Sequence, residues 1–255
     1  MELIVRDECP STSSDPAVLD PGAPHGLIVA ARSQTAGRGQ RGNCWEAEPG
    51  KNLSFSMVIR PRFITAARQF VLSEAVALGI AGVLEAVLRK DGVDEPVTIK
   101  WPNDIYVGGR KICGILIENT LTGRRIDKSI AGIGININQR RFVGDAPNPV
   151  SLCQLTGREY ELAGLLEDFA SAILSAVDLA EVGETREGPA AGAVHSAFLS
   201  RLGRADGELH RWVEMPSGSI VDARIETVSE DGMLHLRHAD GSCHSYAFKQ
   251  ISALL

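Results

Sequence analysis

Apolar residues Leu53, Phe55, Met57 and Ile59 alternate with smaller or polar ones, a period of two that predicts a strand. Leu27 to Ala31 is a compact apolar run that reads as a second strand, so the pair flanks a Gly/Arg-rich loop from Ala36 to Gly50. Upstream, a short apolar opening (Leu3, Ile4, Val5) gives way to Cys9–Gly26, crowded with Pro, Ser, Asp and Gly, which is loop chemistry. From Thr65 to Lys90 the spacing becomes helical, with Leu72, Val76, Val83 and Val87 on one stripe and Leu84 and Leu88 beside it. Asp91-Gly92 supplies the helix stop. Val97–Trp101, Ile105–Val107, Ile112–Glu118 and Ser129–Ile137 read as strands, and Gly108-Gly109 fits a tight turn, so antiparallel neighbours are expected. Leu162, Leu165, Leu166, Phe169, Ile173, Leu174 and Val177 place a helix over about Glu161 to Glu181, and another spans Ala190 to Leu202. Past Asp206-Gly207 come short strands, Leu209–Met215, Ser219–Val228, Met233–His238 and Ser245–Ile251, broken at Ser217-Gly218, Asp231-Gly232 and Asp240-Gly241. That all-β tail is too small to hold a core alone and is expected to pack on the main body.

The 255 residues leave room for one large domain and a small one, and 44% hydrophobic with 23% charged residues is ordinary for a globular chain. No stretch approaches the roughly 18 uninterrupted apolar residues of a membrane span; Ala75–Leu88 is cut by Glu85 and two glycines. Met1 to Asp15 carries no basic-then-apolar export signal, so a cytoplasmic protein with no membrane partner is expected. Cys9, Cys44, Cys113, Cys153 and Cys243 are an odd number without a C-x-x-C pair, which fits free thiols rather than a disulfide framework or a zinc site. A net charge of -6 argues against broad charge-driven nucleic-acid binding while allowing a local basic patch.

Three segments carry candidate chemistry. In Gly37-Arg38-Gly39-Gln40-Arg41-Gly42-Asn43, glycines alternate with cations just after a strand, so backbone N–H groups and two guanidinium ions can approach a phosphate or carboxylate; a solvated basic hairpin tip is the alternative. It is not a phosphate-binding P-loop, because Gly50-Lys51 is followed by Asn52. Lys100-Trp101-Pro102-Asn103-Asp104 ends a strand in turn chemistry: Lys100 either faces a cleft or is an exposed strand-end lysine beside a core tryptophan. Gly132-Ile133-Gly134-Ile135-Asn136 places glycines inside a strand, the mark of a bulge or of close approach to a ligand, without the third glycine and helix of a dinucleotide site. His235, His238 and His244 near Cys243 read as a solvated face rather than a metal site.

Taken in order, Gln34-Thr35-Ala36-Gly37-Arg38-Gly39, Trp45, Lys100-Trp101-Pro102-Asn103-Asp104, Arg110-Lys111-Ile112-Cys113-Gly114-Ile115-Leu116-Ile117-Glu118 and Gly132-Ile133-Gly134-Ile135-Asn136 resemble the biotin–protein ligases along the whole chain. The resemblance implies an α+β fold: a mixed, mostly antiparallel sheet with packed helices, like a class II synthetase, over 1–205, and an SH3-like barrel over 206–255. It implies activation of biotin by ATP to biotinyl-5′-adenylate, with Mg²⁺ on the nucleotide, then transfer to a lysine of a biotin carrier domain such as that of acetyl-CoA carboxylase. Carried over by position, Ser11, Thr12, Ser13 and Gln34 would bind the ureido ring. Arg38, Gly39, Gln40 and Arg41 would form the loop over the ligand, and Lys100, with Arg38, would serve catalysis between the carboxylate and the α-phosphate. Gly114, Gly132 and Gly134 would line the biotin pocket, and Trp45, Asn103, Lys111 and Asn136 the nucleotide. Two positions depart from the family pattern: Gln40 stands where an arginine is common, and Ser13 where asparagine is usual. The chain starts almost at the Ser-Thr element, which leaves no room for a winged-helix domain, so a ligase without DNA binding is expected; homodimerisation stays open. The rivals are a lipoate or octanoate ligase and a non-catalytic carrier- or RNA-binding module.

Overall fold

The computed structural model describes residues 1–39, 45–144, 147–185 and 192–254. Seven strands form the first sheet: β1 (Glu2–Cys9), β2 (Leu27–Gln34), β3 (Leu53–Ile59), β4 (Val97–Lys100), β5 (Asp104–Val107), β6 (Arg110–Thr122) and β7 (Arg125–Ile135). Their order is β1-β2-β3-β7-β6-β5-β4, with only β1–β2 parallel, so the sheet is mixed and mostly antiparallel. Gly108 and Gly109, both at positive φ, make the β5–β6 turn expected of them.

The alternation on β3 hides burial on both faces. Phe55, Met57 and Ile59 enter the main core under α2 (Phe70–Lys90), α4 (Leu162–Thr185) and α5 (Ala193–Ser200). Val58 faces the other way, into a small cluster with Val18, Val29 and Ile130 beneath α1 (Pro16–Leu19). Ser54 and Ser56 on that second face are buried, and Ser56 Oγ lies 2.8 Å from Thr12 Oγ1. α2 is long and apolar enough by length and composition to cross a bilayer, yet most of it is buried as the core helix.

Several boundaries move. The opening is not merely an apolar fragment: β1 runs parallel to β2 as an edge strand, with Ile4 turned to the small cluster and Leu3 and Val5 exposed. The Cys9–Gly26 loop contains a 3₁₀ turn (Thr12–Ser14) and α1. The helix expected from Thr65 begins with a separate 3₁₀ turn, Ala66–Arg68, before α2. A five-residue helix, α3 (Leu152–Thr156), starts with a Ser151–Gln154 capping box that was not foreseen.

The second sheet holds β8 (His210–Glu214), β9 (Ile220–Val228), β10 (Leu234–His238), β11 (Cys243–Tyr246) and β12 (Ile251–Ala253), all antiparallel in the order β11-β10-β9-β8-β12. The run read as one strand, Ser245–Ile251, breaks in two. Gln250 folds back on Ala247 through backbone and side-chain hydrogen bonds, and Lys249 adopts φ 77°. β11 and β12 do not pair, so the barrel is open along that seam among the described residues. Trp212, Ile225, Leu236 and Ile251 join the main core, and the Trp101 indole N–H donates to the Gly232 carbonyl at 3.0 Å.

α1 is held from across the sheet. Buried Lys128 on β7 donates to the carbonyls of Val18, Leu19 and Asp20 at 2.9, 3.0 and 2.9 Å, closing the C-terminal end of a helix too short to stand alone. Lys128→Met keeps the stem and removes the donor from three carbonyls, that of buried Val18 among them. A loss of roughly 2–4 kcal/mol is expected in urea unfolding, and a loss under 0.5 kcal/mol would contradict this role.

Candidate functional site

The alternating Gly-Ile-Gly-Ile of β7 sorts its side chains to opposite faces: Ile133 and Ile135 enter the core, and Gly132 and Gly134 face the other way. In register, Gly134 lies between Ser54 and Gly114, and Gly132 between Ser56 and Leu116, so three glycines leave a strip of β7 and β6 without side chains beside the two serines of β3. No bulge falls there; the glycines serve close approach. Over this strip lies a cavity of about 250 Å³.

Each wall comes from a different element. Ser11, Thr12 and Ser13, all buried, enter from the turn before α1, with Ser11 Oγ 3.1 Å from Ser13 Oγ. Gln34 at the end of β2 accepts from the Thr12 N–H at 2.8 Å and fixes that turn. Lys100, the last residue of β4, sets its ammonium 3.5 Å from the Tyr106 hydroxyl and 5.4 Å from the centre of that ring. Lys111 on β6 pairs with Asp104 at 2.6 Å. Burial pushes the Tyr106 phenol well above its ordinary range, with the Asp104 charge second, so it stays protonated.

The glycine-rich loop closes at its base where the Trp45 N–H donates to the Gly37 carbonyl at 3.0 Å. A Cβ on Gly37 would come within 2.7 Å of the Trp45 carbonyl oxygen, which makes glycine a requirement there. Arg38 forks onto Glu118 of β6 at 2.8 and 3.2 Å, a partner 80 residues away. The Trp45 indole lies in the cavity against Gly134 and Gly114. Its Nε1 and the Asn136 Oδ1 are buried without a hydrogen-bond partner. An orphaned buried donor or acceptor costs about 1–3 kcal/mol, which a ligand can relieve.

Behind the hydroxyl wall, Arg6 grips Asp15, the N-cap of α1, at 2.9 Å. The hydrogen bond from Arg6 holds the Asp15 carboxyl below its ordinary value of 3.8, against the opposing effect of burial. A depressed folded pKa gives stability that is present in full above the unfolded value and is lost as pH falls through the folded one. Urea unfolding of wild type and Asp15→Asn is therefore expected to differ at pH 6 and to converge below the ordinary carboxylate range; a constant difference down to pH 2 would contradict it.

Of the residues singled out in the sequence, the cavity gathers Ser11, Thr12, Ser13, Gln34, Arg38, Gly39, Trp45, Lys100, Lys111, Gly114, Gly132 and Gly134. Asn103 lines an adjoining groove instead and donates to the Ile115 carbonyl at 3.0 Å. Asn136 is buried behind the wall, donating to Val150 at 3.1 Å. Gln40, Arg41 and Cys44 lie outside the described residues. Arg204, Trp212, Ile225, Phe248 and Ser252 line the cavity from the side of the second sheet, and no local motif announces them. The histidines hydrogen-bond to Ser229, Ser242, Ser245 and Tyr246, and among the described residues no cluster of three or more His, Cys, Asp or Glu could hold a metal.

The profile of the biotin/lipoate A/B protein ligase family matches residues 9–136. A biotin–[acetyl-CoA-carboxylase] ligase of Paracoccus denitrificans is 34% identical over 167 residues, 64% of this chain and 67% of that protein. The bifunctional ligase/repressor BirA of Bacillus subtilis is 36% identical over 172 residues, 65% of this chain and 50% of that protein. The match thus spans about half the length of such curated relatives. Among solved structures, the Aquifex aeolicus biotin protein ligase in complex with biotin and ATP superposes with TM-score 0.75 at 24% identity, covering 99% of this chain and 98% of that one. The Leishmania major enzyme in complex with biotinyl-5-AMP gives 0.61 at 24% identity over 96% and 98%. At that identity the likeness is one of fold: a mixed sheet with helices and a second antiparallel sheet.

Proposed function

This chain belongs to the biotin/lipoate A/B protein ligase family, and from that premise we propose that it activates biotin with ATP and passes the biotinyl group to a lysine of a biotin carrier domain. On this reading residues 1–205 form the catalytic unit and 206–255 the SH3-like one. The observation that carries it is the single cavity joining a buried hydroxyl-and-amide wall, a glycine floor and the Lys100 ammonium.

A ureido ring presents two N–H donors and a carbonyl acceptor, the complement of Ser11, Thr12, Ser13 and Gln34, which can both donate and accept. Gly132 leaves bare backbone beside Ser13 for the flat bicycle, and Gly114 and Gly134 let the Trp45 indole pack close alongside it. In the first step a biotin carboxylate oxygen bonds to the α-phosphorus while the bond to the bridging oxygen breaks, and pyrophosphate leaves with that electron pair. Both reactants are anions, so a cation fixed where they meet lowers the barrier without reorganisation; Lys100, with Arg38 and Gly39 beside it, has that place. Trp45 and Lys111, which line the cavity, would serve the nucleotide, with Asn103 in the adjoining groove and Asn136 behind the wall, and the orphaned Trp45 Nε1 is a group a nucleotide would pair. In the second step the carrier amine attacks the acyl carbon, loses a proton and displaces AMP. Asp104, the sole carboxylate among the described lining residues, is committed to Lys111, so the side chains form no cage for Mg²⁺. The ion would enter with the nucleotide phosphates, and no step here is routed through it.

Exchange of labelled pyrophosphate into ATP tests the first step. It is expected with biotin and not with lipoate or octanoate; exchange driven by lipoate alone would overturn the assignment.

A further inference from the structure

The segment joining α5 to β8 is laced to the strand that carries Lys100. The Ile99 N–H donates to the Arg201 carbonyl and the Gly203 N–H to the Ile99 carbonyl, both at 2.8 Å. Lys100 and Arg204 are therefore delivered to the same cavity from adjoining stretches of backbone, one from each side of the junction with the second sheet. Arg204 sits at φ 66°, one of three described non-glycine residues in the left-handed region. A β-carbon is disfavoured there, and such strain persists where the side chain is needed in one place.

Its guanidinium is aimed and only partly used. One nitrogen donates to the Leu254 carbonyl at 2.6 Å, and the group lies 6.0 Å from the centre of the Trp212 ring. That tie uses one of five N–H donors. No carboxylate among the described residues pairs with it, whereas Lys111 has Asp104 and Arg38 has Glu118. The lining thus carries four cations, Arg38, Lys100, Lys111 and Arg204, of which Arg38 and Lys111 are neutralised by Glu118 and Asp104, leaving a net positive charge. The excess matches a polyanion better than a single carboxylate.

We propose that Arg204 binds the β- and γ-phosphates of the nucleotide, so that the segment joining α5 to β8 helps hold the pyrophosphate as it leaves. The proposal rests on the adenylation reading above. When the bond from the α-phosphorus to the bridging oxygen breaks, negative charge gathers on the departing pyrophosphate, and a planar fork of donors suits two of its oxygens at once. Lys100 then serves the oxygens that join and Arg204 those that leave. The α5–β8 connection, beyond joining the two sheets, contributes a binding residue to the reaction.

Arg204→Gln and Arg204→Gly in the full chain provide the test, since glycine suits the left-handed backbone and keeps the turn. Calorimetry with inorganic pyrophosphate, MgATP, AMP and biotin separates the contacts. Loss of a charge-assisted pair is expected to weaken pyrophosphate and MgATP binding about 10- to 100-fold in both variants. AMP and biotin binding should change less than about twofold. Equal pyrophosphate binding in wild type and both variants, with or without a lowered melting temperature, would overturn the proposal and leave Arg204 a tie to Leu254. Failure of wild type to catalyse biotin-dependent exchange, with pyrophosphate binding still dependent on Arg204, would strike the adenylation reading instead.

Discussion

Lys100→Ala is expected to lower biotinyl-adenylate formation about 10³-fold or more, with biotin binding reduced far less and the fold intact. Fixed charge aimed at developing charge is among the largest contributions a site can make, because the ammonium needs no reorganisation as the two anions meet. Lys100 ends β4, in register with Asp104, and its stem lies along the Tyr106 ring, so truncation removes the charge without opening the main core. Lys100→Arg should rescue little, since a planar fork does not fit the place of a compact ammonium. Single-turnover adenylate formation read beside a biotin titration separates the outcomes; equal losses in both would make Lys100 a binding residue only.

The second large effect is expected at Gly134. Its backbone is fixed between Ser54 and Gly114 in the middle of the sheet, and an added Cβ would run into the Trp45 indole. The strands have no freedom to part, so the indole must leave. Valine favours strand geometry, so Gly134→Val should keep the melting temperature within a few degrees while pushing the indole into the space the ligand needs. A fall of about 100-fold in adenylate formation is expected, equivalent to about 2.7 kcal/mol. Activity within threefold of wild type would show that neither the indole position nor the bare floor matters.

Much of this was legible in the sequence, and what was not has a common cause. The helical stripe beginning at Leu162 and the glycine turns of the tail report local geometry, and they found α4 and most of the second sheet within a few residues. Gly132 and Gly134 were legible as places of close approach because glycine in a strand has few other uses. The motifs named the cavity wall well, since Lys100, Lys111 and Arg38 all face it. Edge strand β1 escaped because its burial alternates, with Ile4 and Arg6 half-buried and Leu3, Val5 and Asp7 exposed, while its apolar residues Leu3, Ile4 and Val5 run consecutively. Arg38–Glu118, Lys128 with the end of α1, and Arg204 at the cavity depend on contacts between residues 50 to more than 100 apart. No window of neighbouring residues contains both partners. The second sheet's share of the site was hidden likewise: Trp212, Phe248 and Ser252 read locally as core or turn residues, and only the packing of the two sheets turns them toward Lys100.

On the proposed function, one cavity performs both half-reactions. Purified protein would be incubated with MgATP, biotin and an unmodified biotin carrier domain, and the carrier's intact mass read beside lipoate, no-ATP and Lys100→Ala controls. One biotinyl addition that requires ATP and disappears with Lys100→Ala is expected. An unmodified carrier, or one that takes lipoate in place of biotin, would contradict it.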